Sequence, residues 1–304
     1  MHSLRTRVGH SRRMHFVGLD LAWGENKQSG VAAVDTEGRL LHVGIAKDDA
    51  GIIDAVAPFT ADDCVVAIDA PLIVTNDTGF RPAETEYNRV FGRFDAGAYP
   101  ANNGNPLFNP PRGAVLANAL GLDMDPGSSA NRRAIEVYPH PATVVVFGLD
   151  KVLKYKRGPF EVRQRELLKL MTHIEALDKE SPRLRANRSM AWVELRRRVE
   201  AATRASQLDR DEDAVDAVLC AYVALYWYHR PEDVTIYGDF ASGYIVTPTL
   251  PEDRPAPSPR TPAPKPARDR DLRVRLANAE AKLSALTAEL EDIRRHLDHR
   301  DGSA

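Results

Sequence analysis

A chain of 304 residues, 43% hydrophobic and 28% charged, carries enough apolar side chains for one large domain or two small ones, which excludes wholesale disorder. No run of about 18 apolar residues occurs, and the opening MHSLRTRVGHSRRM has no apolar stretch, so neither a membrane span nor a signal peptide is expected and a cytoplasmic location follows. The net charge of −2 conceals an asymmetry: residues 16–150 carry 9 Lys and Arg against 18 Asp and Glu, residues 151–204 carry 15 against 7, and residues 205–250 carry 2 against 8. A metal-dependent site beside an anion-binding surface needs such a division, as carboxylates hold cations and Arg and Lys hold phosphates. Solvated helix faces give the same pattern.

After a basic arm over residues 1–14, the segments FVGLDLAWG, GVAAVD and RLLHVGIA read as three strands of an antiparallel meander. Residues 48–58 have helical spacing with Asp at their start. Residues 64–70, CVVAIDA, form a continuous apolar run ended by Pro71, as a strand buried on both faces does. The order β-β-β-α-β results. Residues 76–132, rich in Gly, Asn and Pro, read as an insertion with one or two helices and an irregular 95–113 loop, a candidate lid. A fifth strand is expected at 134–138 and helices after Pro141, over about 159–178, near 184–205 and over about 210–229. Cys64 and Cys220 lie inside apolar runs and read as buried, reduced thiols.

The end of the chain reads as a separate module. Eight prolines between Pro248 and Pro266 make residues 249–269 an extended linker. Beyond it, in residues 270–300, Leu272, Leu276, Ala279, Leu283, Leu286, Leu290, Ile293 and Leu297 recur at alternating spacings of 4 and 3, a heptad seam that predicts a coiled coil and a homo-oligomer formed through residues 272–297.

Several acids stand where a fold prefers apolar side chains. Asp20 lies inside the first strand, with Val17, Leu19 and Leu21 alternating to one face and the small Gly18 and Ala22 sharing its own, which leaves it approachable. Asp69 ends the fourth strand, at an edge where open α/β sheets bind ligands. Glu136 in AIEVYPHP needs a metal or an Arg partner. In the last helix Asp209 reads as the N-cap with Glu212 as its capping-box partner. Asp213 and Asp216 then share an otherwise apolar stripe with Cys220, Val223 and Trp227. Two aspartates on that stripe, facing strands that carry Asp20 and Asp69, repel one another unless cations sit among them. A divalent metal resolves the conflict.

The motifs FVGLDLAWG, AIDAPL, RPAETEYNR, AGAYPAN, EVYPHP and DEDAVDAVLCAY, in this order over about residues 15–248, resemble the domain of unknown function family 429, regarded as predicted nucleases of RNase H-like fold. Asp213-Ala-Val-Asp216-Ala217 is also similar to the last helix of RuvC-type junction resolvases, which place one acid on the first strand and one on the fourth. The fourth-strand acid here is Asp rather than the Glu common in resolvases. The resemblance implies an α/β fold with an RNase H-like mixed five-stranded sheet, flanking helices and an inserted helical region, followed here by the coiled-coil helix. It implies Asp20, Asp69, Asp213 and Asp216 as metal ligands and catalytic residues.

The expected activity is a nuclease: Mg2+ or Mn2+ held by these aspartates, with Glu136 as a further catalytic acid, hydrolysing phosphodiester bonds of a nucleic acid. Lys154, Lys156, Arg157 and Arg81 are the expected substrate cations, and His140 is a candidate proton shuttle or a simple helix cap. Arg81, Glu84 and Arg89 also fit ordinary surface ion pairing. Two rivals come from other classes: a non-catalytic scaffold for nucleic acid or protein, oligomerised by the coiled coil, and nucleotide phosphotransfer on an actin-like domain, which needs two such domains.

Overall fold

The computed structural model describes residues 13–22 and 28–254. The basic arm through residue 12, most of the Pro-rich linker and the heptad segment lie outside the described residues.

Three consecutive strands, β1 (His15–Asp20), β2 (Ser29–Asp35) and β3 (Leu40–Ala46), form the expected antiparallel meander. Helix α1 (Asp49–Thr60) starts where Asp48 accepts a hydrogen bond from the Gly51 amide at 2.9 Å, so the acid at its head is an N-cap. The crossover returns the chain as β4 (Cys64–Asp69), parallel to β1, and β5 (Arg132–Glu136) adds parallel to β4. The result is a mixed five-stranded sheet in the order β3-β2-β1-β4-β5, with β1 at its centre. Cys64 and Cys220 are buried free thiols, as expected. No helix of the described residues is long and apolar enough to cross a membrane.

The sheet's functional face is made by helix α7 (Ala205–His229), which packs on β1, β2 and β4. The approach is backbone to backbone: a Cβ on Gly18 of β1 would stand 1.9 Å from the Ala217 carbonyl oxygen. The small residues beside Asp20 therefore admit the helix, and Asp20 is only 6% exposed. Val17 and Leu19 alternate to the other face and are fully buried. Helix α7 also begins earlier than its acids indicate. Its N-cap is Arg204, with the Gln207 side chain accepting from the Arg204 amide at 3.2 Å, so Asp209 caps nothing and Asp216 lies deep in the helix interior. Nor is its apolar surface a stripe: residues 214–225 are buried all round, because α4 (Pro139–Val146), α5 (Phe160–Ala176) and α6 (Met190–Ala201) cover the side away from the sheet.

The insertion holds α2 (Pro82–Phe91) and α3 (Arg112–Ala119). A hairpin of β6 (Val234–Asp239) and β7 (Gly243–Pro248), absent from the sequence reading, pins it down. Tyr87 and Phe91 of α2 meet the Tyr237 ring at centroid distances of 5.2 and 6.1 Å and join Phe94, Val144, Val152 and Ile245 in a second small core. The base of the insertion is thus anchored in this core.

Candidate active site

The register of β1 against β4 sets Asp20 directly beside Asp69 on neighbouring parallel strands, so both carboxyls emerge together at the strands' carboxyl ends. The alternation that turns Gly18 toward α7 turns Asp20 the same way. From α7, Asp216 enters fully buried and Asp213 sits nearer the opening. Asp20, Asp69 and Asp213 line the floor of an open cleft of about 820 Å³.

The residues between α4 and α5 supply the cations. Lys156 Nζ lies 2.7 Å from Asp216 Oδ2 and 3.5 Å from Asp20 Oδ2, and the neighbouring Tyr155 hydroxyl donates to Asp216 Oδ1 at 2.7 Å. The His140 ring stacks on Tyr155, centroids 5.4 Å apart and planes within 7°, and borders the cleft. Arg163 of α5 fixes this segment: it donates to the Tyr155 carbonyl at 2.8 Å, to Asp209 at 2.5 Å and to Glu212 at 3.0 Å. The two acids first read as a cap are consumed here.

Electrostatics follow from burial and crowding. Burial, together with Asp216, pushes the Asp20 carboxyl up to about 6 although Lys156 opposes the rise. Burial and then Asp20 drive Asp69 well above the usual carboxylate range. Burial and Asp20 raise Asp213 to about 8, and burial raises Glu212 to about 7. Burial works against the Lys156 charge, but Asp20 and Asp216 outweigh it and hold its pKa well above the usual lysine range. Burial and Lys156 lower His140 to about 4, which leaves it neutral at pH 7.

Whether these residues fit a metal is tested by their unused atoms. Asp20 Oδ2 and Asp216 Oδ2 are buried, and the charge that reaches both is the Lys156 ammonium, at 3.5 and 2.7 Å. Among the described residues no three His, Cys, Asp or Glu side chains form a ready-made metal cage. The donor set, all carboxylate oxygen, suits a hard divalent cation once Lys156 withdraws from between Asp20 and Asp216.

A family model described as a protein of unknown function (DUF429) matches residues 18–241. The chain belongs to this family. No curated protein and no solved structure matches it. The DUF429 match takes in Asp20, Asp69, Asp213 and Asp216 and stops two residues before β7.

Two of the expected site residues do other work in this DUF429 domain. Glu136 accepts from Arg81 Nη2 at 2.5 Å, from Arg81 Nη1 at 2.9 Å and from the Leu72 amide at 2.9 Å, and both residues are buried. Arg81 also donates to Glu84 at 2.9 Å and to the Ile73 carbonyl at 2.9 Å. Glu136 thus has the Arg partner that its burial requires, and Arg81 and Glu84 pair in the interior rather than at the surface. Their network holds the turn after β4, and hence Asp69, in place.

The basic segment 151–204 is largely neutralised within the fold. Arg196 pairs with Glu175 and Glu200, Arg197 with Glu194, and Arg198 with Asp211. Lys154 meets Asp95 at 3.2 Å, while Arg157 is exposed at the cleft without an ion-pair partner among the described residues. Sequence reasoning missed Tyr155 and Arg163, whose only signal was their neighbourhood to Lys156 and the acids of α7.

Proposed function

We propose that the DUF429 domain is a divalent-metal-dependent phosphodiesterase acting on nucleic acid. The observation that carries this reading is the convergence of buried carboxylates from the central strand and the last helix, Asp20 Oδ2 and Asp216 Oδ2, on a single ammonium, that of Lys156. The sheet order with β1 at the centre supports the RNase H-like resemblance that places acids at these positions. Asp20, Asp69, Asp213 and Asp216 would hold Mg2+ or Mn2+, which would supply Lewis-acid activation of water and charge stabilisation of the leaving oxygen. Tyr155 holds Asp216 by donating to its other oxygen. Lys156, displaced toward the cleft, offers its charge to a phosphate, and neutral His140 can accept a proton at the cleft wall. Arg157 meets the substrate backbone from the rim.

A second reading has its own observation in its favour. The 2.7 Å contact of Lys156 with Asp216 makes the lysine a permanent counter-ion in a non-catalytic nucleic-acid or protein scaffold. Actin-like phosphotransfer gains no support, since the described residues contain one five-stranded sheet where two such domains are needed.

One experiment separates the first two. Calorimetric titration with Mn2+, paired with cleavage assays on single-stranded, duplex, hybrid and branched substrates, should show binding that Asp20→Asn and Asp216→Asn abolish, and cleavage that requires the ion. Wild-type protein that neither binds Mn2+ nor cleaves any substrate leaves the scaffold reading in place.

A further inference from the structure

The cleft above the carboxylates has two unlike walls. One is the 95–108 segment of the insertion, which presents Tyr99 and Leu107 to the opening, 59% and 45% exposed. The other is the 154–157 segment, which presents Lys154, Lys156 and Arg157. A large aromatic ring left this open contributes little to folding, and its face is available to whatever enters the cleft.

The backbone that carries Tyr99 is tied on both sides. The Asn88 side chain accepts from the Ala98 amide at 2.6 Å and donates to the Ala98 carbonyl at 3.2 Å. On the other side the Ala101 amide donates to Glu84 at 3.1 Å, and Glu84 is itself buried in the Arg81 network. The Lys154–Asp95 pair joins the two walls. Tyr99 is thus an exposed ring on a fixed backbone, in the same cleft as the acids and as Arg157, which has no ion-pair partner among the described residues.

We propose that the cleft takes an unpaired nucleotide of a single-stranded nucleic acid, with its base stacked on Tyr99 and its flanking phosphate on Arg157. For the chemistry at the acids this rests on the phosphodiesterase reading; for binding it rests on the walls alone. The charge order fits the ligand: the phosphate meets a cation at the rim, and the base meets an aromatic ring, which accepts any base because every base has a π face. Size fits as well. At about 820 Å³ the cleft matches sites that enclose one compact ligand, roughly 300–1,000 Å³. A duplex instead spreads over a broad surface and keeps its bases stacked inside, out of reach of Tyr99.

Fluorescence anisotropy of the full chain tests this with three probes of equal length, labelled alike: a 12-mer of thymidylate, the same strand with every base removed, and a 12-base-pair duplex, all in Ca2+ to suppress cleavage. The thymidylate strand should bind tightest. Tyr99→Ala should weaken it about tenfold while leaving the abasic strand unchanged, and Tyr99→Phe should keep the parental affinity. Arg157→Ala should weaken both single strands. Duplex binding as tight as the single strand, or thymidylate affinity unchanged in Tyr99→Ala, overturns the proposal. Tyr99-dependent binding without cleavage in Mg2+ or Mn2+ upholds the base platform and removes the phosphodiesterase; cleavage of duplex alone does the reverse.

Discussion

Gly30 of β2 and Asp213 of α7 meet through their backbones: a Cβ at Gly30 would stand 1.8 Å from the Asp213 carbonyl oxygen. With Gly18, whose Cβ would stand 1.9 Å from the Ala217 carbonyl oxygen, Gly30 sets the height of the acidic helix above the sheet.

Gly30→Ala should therefore lift α7 and spread the carboxylates. Overpacking against backbone costs roughly 1–3 kcal/mol, read as a lowered midpoint in urea, and Mn2+ affinity should fall as well. Gly44→Ala on β3, where the nearest atom is the His42 imidazole at 3.6 Å, is the control and should change neither. Equal effects at both glycines would detach the helix height from the site.

Asp20→Asn removes one of several crowded anions without creating a cavity. The variant should keep its circular dichroism spectrum and lose metal-dependent cleavage. Because Asp20 raises the pKa of both Asp69 and Asp213, the metal-free variant should also be more stable than wild type at pH 8. Unfolding of the variant would make Asp20 a structural residue.

The raised acids give the metal-free protein a defined pH dependence. Asp20 rises to about 6 and Asp213 to about 8 from the unfolded value of 3.8, so between these limits the native state binds more protons than the unfolded state. Stability then falls as pH rises from about 4 to about 8. Thermal denaturation in chelator should show the melting temperature dropping by several degrees across this window. Mn2+ should restore it at pH 8 and do little at pH 5. A flat profile would mean that Lys156 alone balances the acids.

Arg81→Met leaves Glu136 and Glu84 buried without their cation. A loss of about 3–5 kcal/mol in denaturant unfolding is expected, since breaking a buried pair strands a charge. A cost below 1 kcal/mol would show that the network contributes little to holding the turn after β4.

At the surface, Arg157→Ala should flatten the salt dependence of nucleic-acid binding, while replacing Arg196, Arg197 and Arg198 together should not, as these three are paired within the fold. The reverse ranking would move the nucleic-acid surface to α6.

Much of this was local and so legible in the sequence. Alternation placed Asp20 inside a strand with Gly18 beside it, an unbroken apolar run followed by Asp69 marked the fourth strand, and the helical spacing of Asp213 and Asp216 set both on α7. The hairpin of β6 and β7 was legible too, with Val234-Thr-Ile-Tyr and Tyr244-Ile-Val-Thr flanking the Gly238 to Gly243 turn, and was missed. What the sequence by itself could not determine was the choice of partner among charges. Arg81 and Glu136 stand 55 residues apart, and Tyr155 and Asp216 stand 61 apart. A charged side chain in sequence carries no mark of which opposite charge it will meet. Burial decides that, because a group removed from water takes the partner that the packing of the chain brings within reach, and only the tertiary structure gave Glu136 to Arg81 and Lys156 to the aspartates.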